Sequence, residues 1–289
     1  MLVVMVLSVL CPAQDVLKFG VAPVESPKVV YQQFTPLAEY LSKELGVKVE
    51  LVVAKDYAGT ADILGQNQVQ AAWMTPSIYP LCQKQNPDAG VEAVARFQSE
   101  GKGVCQSCII VPADSPIKDL AELKGKKFAF VDRNAASGYL VPLSLLKDSG
   151  IDADKDLAEY KFLSSHSNVA TAIKMKQFDA GSVKQTVADK FSKEGSVKII
   201  AVSKDVPEHP VCVNKNLSKE LKDKLVAALL KLKLDKANKD APANAILTSI
   251  NPKYTGCEVA VDKDYDVIRE TISKLFGDKF YEKSQPAQK

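Results

Sequence analysis

Apolar and polar positions along the chain switch repeatedly between a period of two and a period near 3.6, and the switches mark the elements. Leu17-Lys-Phe-Gly-Val21 reads as a strand, and Phe34, Leu37, Ala38, Leu41 and Leu45 then recur at helical spacing until Gly46 closes the helix. Residues 47–53 predict the next strand, roughly 58–64 a short helix, 69–74 a buried strand, and Thr75-Pro76-Ser77 a turn into a helix holding Tyr79 and Cys82. A second series begins near Cys105: a strand over 105–111, a short capped helix over 115–125, and a strand at 128–131. It continues through 162–166, a helix over 168–176, a short strand at 178–181, another helix, and a strand at 197–202. From 209–213 the chain turns back toward the first series and enters a long helix over 218–234. Strands separated by helices predict an α/β fold with parallel sheets covered on both faces. Ligands in such sheets sit beyond the carboxyl ends of the strands.

One stretch, 126–142, concentrates the chemistry. Phe128-Ala-Phe-Val131 is short and apolar; Asp132, Asn134, Ser137 and Gly138 interrupt it; Leu140, Leu143, Leu145 and Leu146 resume as one face of a helix that Gly150 stops. Ser137 is the expected N-cap, and Asp132 is placed to brace the turn. The first N–H groups of a helix have no partner inside it, and the peptide dipoles put partial positive charge there. Small residues at 135–138 would let an oxyanion approach that backbone closely. An ordinary strand-to-helix connection with a serine cap is the competing reading of the turn taken alone.

The start, MLVVMVLSVLCPA, has the length and apolarity of a secretion signal cut near Ala13, which leaves 1–13 outside the mature protein. It lacks a basic leading segment, as a truncated or misassigned start would, and Leu10 is too large for a lipid-attachment motif ending at Cys11. The run is too short to span a bilayer, and no later stretch is long and apolar enough to do so. The expectation is a periplasmic or otherwise extracytoplasmic protein. A balance of 38 basic against 35 acidic residues, scattered over helix faces, argues against a nucleic-acid partner. With 289 residues there is room for two lobes: 14–108 as the first part of one, 109–208 as the second, and 209–289 returning to the first with the C-terminal helices.

The order and spacing of several short features carry a family resemblance: Gly20 to Pro23, Asp56-Tyr57-Ala58-Gly59, Ala72-Trp73, Ser107 to Val111 with Asp114-Ser-Pro-Ile117, Asp132 to Pro142, Ser165-His166, Phe178-Asp179-Ala180 and Asn216-Leu217. From about Leu17 to Leu217 the chain resembles the phosphate, phosphite and phosphonate substrate-binding proteins of ABC importers. The resemblance implies a type II periplasmic-binding fold: two lobes, each a mixed, mostly parallel sheet flanked by helices, joined by two hinge strands and closing over ligand. It further implies a non-enzymatic monomer without cofactor or metal, working with an ABC permease. Its pocket would be lined by Tyr57, Cys105, Ala135, Ala136, Ser137, His166, a position near Thr186, and His209, with the N–H groups at residues 136 to 139, through Gly138 and Tyr139, holding the ligand's oxygens. The chain departs from the family pattern in the turn, where only Ser137 keeps a hydroxyl. Each missing hydroxyl forfeits about 1.5–3 kcal/mol of hydrogen bonding to a charged oxygen. Carboxylates for an aminoalkyl ammonium are absent as well, which disfavours aminoethylphosphonate.

The third departure is Cys105, standing where the family has a tyrosine. Thiolate sulfur suits soft centres, so the alternative is a cysteine-dependent arsenite-binding protein with Cys105 as the metalloid ligand, feeding a sensor histidine kinase. Six cysteines are present, and five remain without Cys11, so one thiol is unpaired. Cys82, Cys108, Cys212 and Cys257 supply two disulfides in pairings left open, or are small buried hydrophobes. Cys105-x-x-Cys108 and His209-x-x-Cys212 have metal-like spacing, but residues three apart on a strand face opposite ways. A thiol hydrolase built on Cys105 and His166 is the alternative from another class. No nucleophile elbow, phosphate loop, zinc-protease helix or dinucleotide glycine motif supports it.

Overall fold

A computed structural model describes residues 16–282; the expected signal segment and the polar tail lie outside the described residues. The first half of the chain forms β1 (Val16–Val21), α1 (Pro27–Leu45), β2 (Lys48–Val53), α2 (Tyr57–Gly65), β3 (Ala71–Trp73), α3 (Ile78–Gln85) and β4 (Glu92–Ser99), then β5 (Val104–Cys105), β6 (Ser107–Pro112) and β7 (Lys127–Phe130). Next come α4 (Val141–Asp148), α5 (Ala153–Asp156), β8 (Glu159–Phe162), α6 (His166–Lys174), β9 (Ala180–Lys184), α7 (Gln185–Lys193) and β10 (Val197–Val202). The return consists of β11 (Val206–Pro207), β12 (Pro210–Val213), α8 (Lys219–Lys231), α9 (Pro242–Ile250), β13 (Tyr254–Val259) and α10 (Asp266–Phe276).

Two sheets result, each the centre of one lobe. The first has the order β13-β4-β12-β3-β1-β2 and the second β10-β6-β9-β7-β8; β5 and β11 pair with each other as the two crossing strands. The sheets are mixed and mostly parallel in strand direction, as expected: β1, β2, β3 and β4 run one way in the first, and β7, β8, β9 and β10 in the second. Between neighbours, only β1 with β2 and β3, and β7 with β8 and β9, pair in parallel; every other pairing within the two large sheets is antiparallel. Parallel pairs need a helical crossover on one side of the chain's path, and strands that enter or leave a lobe through the hinge arrive from the opposite direction. The predicted 105–111 strand is two strands. Val104–Cys105 belongs to the crossing pair and Ser107–Pro112 to the second sheet, with Gln106 between them bonding Gln185 N–H through its carbonyl at 2.8 Å.

Both faces of the second sheet are covered, which explains its continuous apolar runs. Ile109, Val111, Phe128 and Phe130 fill one core, and the alternating Cys108, Ile110, Ala129 and Val131 fill the other, all fully buried. In the first sheet Leu17, Phe19, Val21 and Trp73 pack under α1 while Ala72 and Cys212 face α2 and α3. α1 buries Val30, Phe34, Leu37, Ala38, Leu41 and Leu45 and ends at Gly46, whose φ of 72° is the left-handed cap that glycine adopts without strain. The capped helix expected over 115–125 is a single 3₁₀ turn, Ala121–Leu123. Asp119 Oδ1 accepts from Ala121 N–H and Glu122 Oε2 from Lys118 N–H, local bonds that compete with a helix. α10 places Ile268 and Ile272 in the second lobe's core, while the segment after it reaches α3, where Gln85 Nε2 donates to Tyr281 O at 3.0 Å.

The five described cysteines are free, and Cys82, Cys108, Cys212 and Cys257 are buried. The expectation of two disulfides is therefore corrected. Cys108 and Cys257 belong to separate cores, so these thiols serve as small hydrophobes.

Gly138 fixes how the 135–140 turn sits on β7. A Cβ there would fall 2.5 Å from both Cβ and Cγ2 of Val131. Gly138→Ala is expected to cost about 1–3 kcal/mol through forced displacement of the turn, read as a lowered midpoint with unchanged slope in urea unfolding; an unchanged midpoint would show that the turn is loosely seated.

Candidate functional site

A cavity of about 480 Å³ opens between the lobes, beyond the carboxyl ends of β2, β3, β7 and β8. Two of its side chains stand at the first position of a helix, each fixed by a cap. Asp56 Oδ1 accepts from Gly59 N–H at 2.7 Å, which seats Tyr57 at the start of α2. Ser165 Oγ accepts from Asn168 N–H at 3.1 Å, which seats His166 at the start of α6. Tyr57 is buried, and its phenol is raised by burial, then by Asp132 and Glu25, so it stays a neutral donor.

The small-residue turn is built differently from the expectation. Ser137 is not the N-cap: the backbone leaves the extended region at Ala135, and Ala136–Leu140 is a wide turn in which Leu140 N–H bonds Ala135 O, five residues back, before α4 begins. In that register the carbonyl of Ser137 would take its donor from residue 142, but Pro142 has no N–H. Ser107 Oγ supplies the missing bond at 2.6 Å, and Ser182 Oγ donates to Gly138 O at 2.8 Å. Carbonyl and N–H of one peptide unit point in opposite directions, so anchoring the Ser137 carbonyl on β6 turns the Gly138 N–H away from the sheet. Tyr139 N–H is already bonded to Ala135 O at 3.0 Å, which leaves the N–H groups of Ala136, Ser137 and Gly138 as those that precede the ladder, rather than four through residue 139. Asp132 braces the turn as expected, its Oδ1 accepting from Asn134 N–H at 2.8 Å.

His166 Nδ1 accepts the Lys184 N–H at 3.0 Å. That bond fixes the neutral tautomer with hydrogen on Nε2, the nitrogen left to donate. Burial, reinforced by Lys184 and His209, pushes the imidazole down to about 3. His209 also borders the cavity, stacked on Trp73 at 4.4 Å between ring centres, and burial lowers it too, against the pull of Glu208. The Trp73 indole N–H is buried without an acceptor among the described residues.

Sequence reasoning missed the strongest charge. Lys184, at the end of β9, reaches the cavity with its Nζ 2.8 Å from Glu208, whose side chain is fully buried beside the crossing strand β11. Burial opposes charge on both, yet each holds the other ionised: the ammonium is raised and the carboxylate lowered. Nothing in the sequence separates this lysine from the other basic residues; only the topology does, by ending β9 against the hinge.

Of the residues expected at the site, Tyr57, Cys105, Ala135, Ala136, Ser137, Thr186, His166 and His209 line one cavity. Gly138 and Tyr139 do not. Gly138 is pressed against Val131, and the Tyr139 ring meets Phe130 and Phe162 inside the second lobe. Cys105 pairs with Val206 across the crossing strands, and burial, with Lys184 opposing, pushes its thiol up to about 12. Cys108 is buried in the second sheet's core, so the two do not form a pair of ligands. The lobes also touch at the cavity's edge: Thr75 Oγ1 and Ser77 Oγ both donate to Asn134 O, and Lys253 stands 3.6 Å from Asp189.

A family profile described as "ABC transporter, phosphonate, periplasmic substrate-binding protein" matches residues 19–265. The phosphonates-binding periplasmic protein of Escherichia coli is 32% identical over 225 residues, covering 73% of this chain and 64% of that protein, so the chain spans somewhat under two thirds of that relative's length. The phosphate-import protein of Mycolicibacterium smegmatis is 29% identical over 73% of this chain and 70% of its own. Among solved structures, a binding-protein component of a Pseudomonas aeruginosa phosphonate transporter superposes with a TM-score of 0.77 at 25% identity, over 95% of this chain and 91% of that one. A Prochlorococcus marinus protein in complex with methylphosphonate gives 0.78 at 21% identity, over 91% and 99%.

Two outcomes follow from the buried charges. Lys184→Met leaves the Glu208 carboxylate buried without its cation and is expected to cost about 3–5 kcal/mol in urea unfolding, while adding Glu208→Gln recovers the larger part; equal losses in the single and double variants would show that the pair is not coupled. His166, lowered to about 3 when folded, takes up no proton between pH 6.5 and 3, whereas the unfolded chain does. Stability should therefore fall as pH drops through that window, and His166→Gln should flatten that part of the curve; an unchanged slope would mean the ring protonates in place.

Proposed function

The chain belongs to the phosphonate periplasmic substrate-binding proteins of ABC transporters, and from that membership we propose that it captures a small oxyanion of the phosphate, phosphite or phosphonate type outside the cytoplasm and presents it to an ABC permease. The observation that carries this reading is the convergence, on one interlobe cavity, of the start of the turn at Ala135, Ala136 and Ser137, the Nε2 side of His166 and the Lys184 ammonium. Backbone N–H groups and a helix start meet negative oxygens without any side chain, which lets Ala135 and Ala136 stand where hydroxyls are missing. Ser137 and Tyr57 add hydroxyl donors, and Lys184 supplies charge. Ligand contacts made on both lobes shift the molecule toward its closed form.

A binding role also fits the chemistry that the cavity withholds. Hydrolysis through Cys105 would need a thiolate and a base that takes its proton. The thiol is held near 12, and His166 spends Nδ1 on a backbone N–H. Arsenite would meet a single thiol, Cys105, among the described residues lining the cavity.

Thermal unfolding of the reduced protein against phosphate, phosphite, methylphosphonate, sulfate and arsenite, with Cys105→Ser alongside, tests the proposal. A ligand at a hundred times its dissociation constant adds about 2.7 kcal/mol, which a melting curve resolves. Stabilisation by a phosphorus oxyanion that survives Cys105→Ser is the expected result. Stabilisation by arsenite alone, lost in Cys105→Ser, would overturn it in favour of a metalloid binder.

A further inference from the structure

Resting on the reading that this cavity is the ligand site, we infer a narrower ligand class: an oxyanion carrying one negative charge and a sizeable apolar substituent. The charge follows from what faces Lys184. Its one positive charge is already balanced by Glu208, whose two carboxylate oxygens both stand 2.8 Å from the ammonium. His166 contributes a neutral ring, because its Nδ1 is committed as an acceptor. The leading N–H groups of the turn add the equivalent of about half a charge. Lys190 and Lys253 line the cavity too, but Lys190 is exposed to solvent and Lys253 is engaged by Glu100 and Asp189. A dianion would therefore bring two negative charges beside a buried carboxylate with the buried Lys184 as the cation between them. One negative charge is what the turn and Lys184 can share with Glu208.

The substituent follows from space and lining. At about 480 Å³ the cavity falls within the roughly 300–1,000 Å³ of pockets that enclose drug-sized ligands, far more than a bare tetrahedral oxyanion fills. Away from the turn its walls are Phe34 and Ile250 from the first lobe, Val187 and Phe191 from the second, and Val206 from the crossing strand. A phosphate or a methyl compound would leave these side chains facing water. An alkyl or aryl group would cover them, in keeping with a turn that has Ala135 and Ala136 rather than further hydroxyls.

Calorimetric titration of the protein at pH 6.5 and 8.5 with inorganic phosphate, methylphosphonate, phenylphosphonate and benzenesulfonate decides this. The groups facing Lys184 keep their charge across that range: Glu208 is lowered, Cys105 pushed up to about 12, Tyr254 raised, His166 down to about 3, and His209 lowered below its ordinary 6.5. Glu25, at the cavity wall and raised by burial, is controlled with Glu25→Gln. A change in affinity with pH then belongs to the ligand. Phenylphosphonate should bind about tenfold or more tighter than methylphosphonate at pH 6.5. Its affinity should fall about tenfold per pH unit beyond its second ionisation, while benzenesulfonate, singly charged throughout, holds constant. In Glu208→Gln, folding checked by its melting curve, the phosphonate's loss at pH 8.5 should shrink; the native protein's pH series decides the charge alone if that variant does not fold. Tighter binding of phosphate or methylphosphonate than of the phenyl compound, or a phosphonate that binds better at pH 8.5, overturns the inference and leaves the oxyanion function standing. Binding by none of the four overturns the inference, and overturns the oxyanion function as well when phosphite, added as a fifth titrant, also fails to bind.

Discussion

Burying the Lys184 ammonium is tolerable only because Glu208 stands 2.8 Å away, and much of the molecule's middle is arranged around that pair. The lysine ends β9, a central strand of the second lobe, and its Nζ lies 5.8 Å from the centre of the Tyr254 ring, which opens β13 of the first. Glu208 N–H bonds Gly103 O at 2.9 Å on the opposite crossing segment, and Glu208 O accepts from Tyr265 Oη at 3.1 Å. The pair thus ties both lobes and both crossings to one point. A buried ion pair is weak evidence for stability, since a well-packed apolar pair often does as well. Its persistence here makes sense as a requirement of the cavity, where a cation must be kept charged without water.

The same logic of substitution governs the turn. Pro142 starts α4 cleanly but removes the donor that the Ser137 carbonyl would have used; Ser107 replaces it from β6, and Ser182 on β9 holds the next carbonyl, that of Gly138. Those two hydroxyls lie outside the cavity lining, yet they hold the turn that carries Ala136 and Ser137 into it. A turn that works through backbone rather than side chains tolerates alanine at 135 and 136, provided its carbonyls are held. Gly138 is needed for a different reason from the one its place in a small-residue run suggests: it admits Val131, not a ligand.

Elements with a strong local pattern were legible in the sequence. α1 announces itself through its apolar stripe and Gly46, and β6 and β7 through buried runs too short for helices. The residues at strand ends, Tyr57, His166 and the 135–137 turn, were legible because topology puts strand-to-helix junctions on the ligand side, and a family resemblance marked which junctions mattered. What escaped was set by non-local geometry. Which neighbouring strands pair antiparallel depends on how the chain passes the hinge. The break at Gln106 depends on two sheets claiming adjacent residues. Lys184 and Glu208 are 24 residues apart and meet only because β9 and β11 end at the same place. The free cysteines are a further case: their number suggested bridges, but the alternation of side chains sends Cys108 and Cys212 into different cores.

Cys105 shows how burial decides what a conspicuous residue can do. A thiol in a ligand cavity invites a soft-ligand or nucleophilic role, and both need the thiolate. Lys184 is close enough to favour that thiolate, but its charge is already engaged by Glu208, and desolvation, with Glu208 and Asp205 adding to it, outweighs the lysine's pull. The thiol is thereby left as a small, weakly polar surface between Val206 and the cavity. A side chain this small leaves room in the pocket at the hinge, on the same side as the apolar residues of α7 and the crossing strand. The ion pair that keeps Lys184 charged therefore also keeps Cys105 neutral, and the charge and the space of the cavity are set by one arrangement.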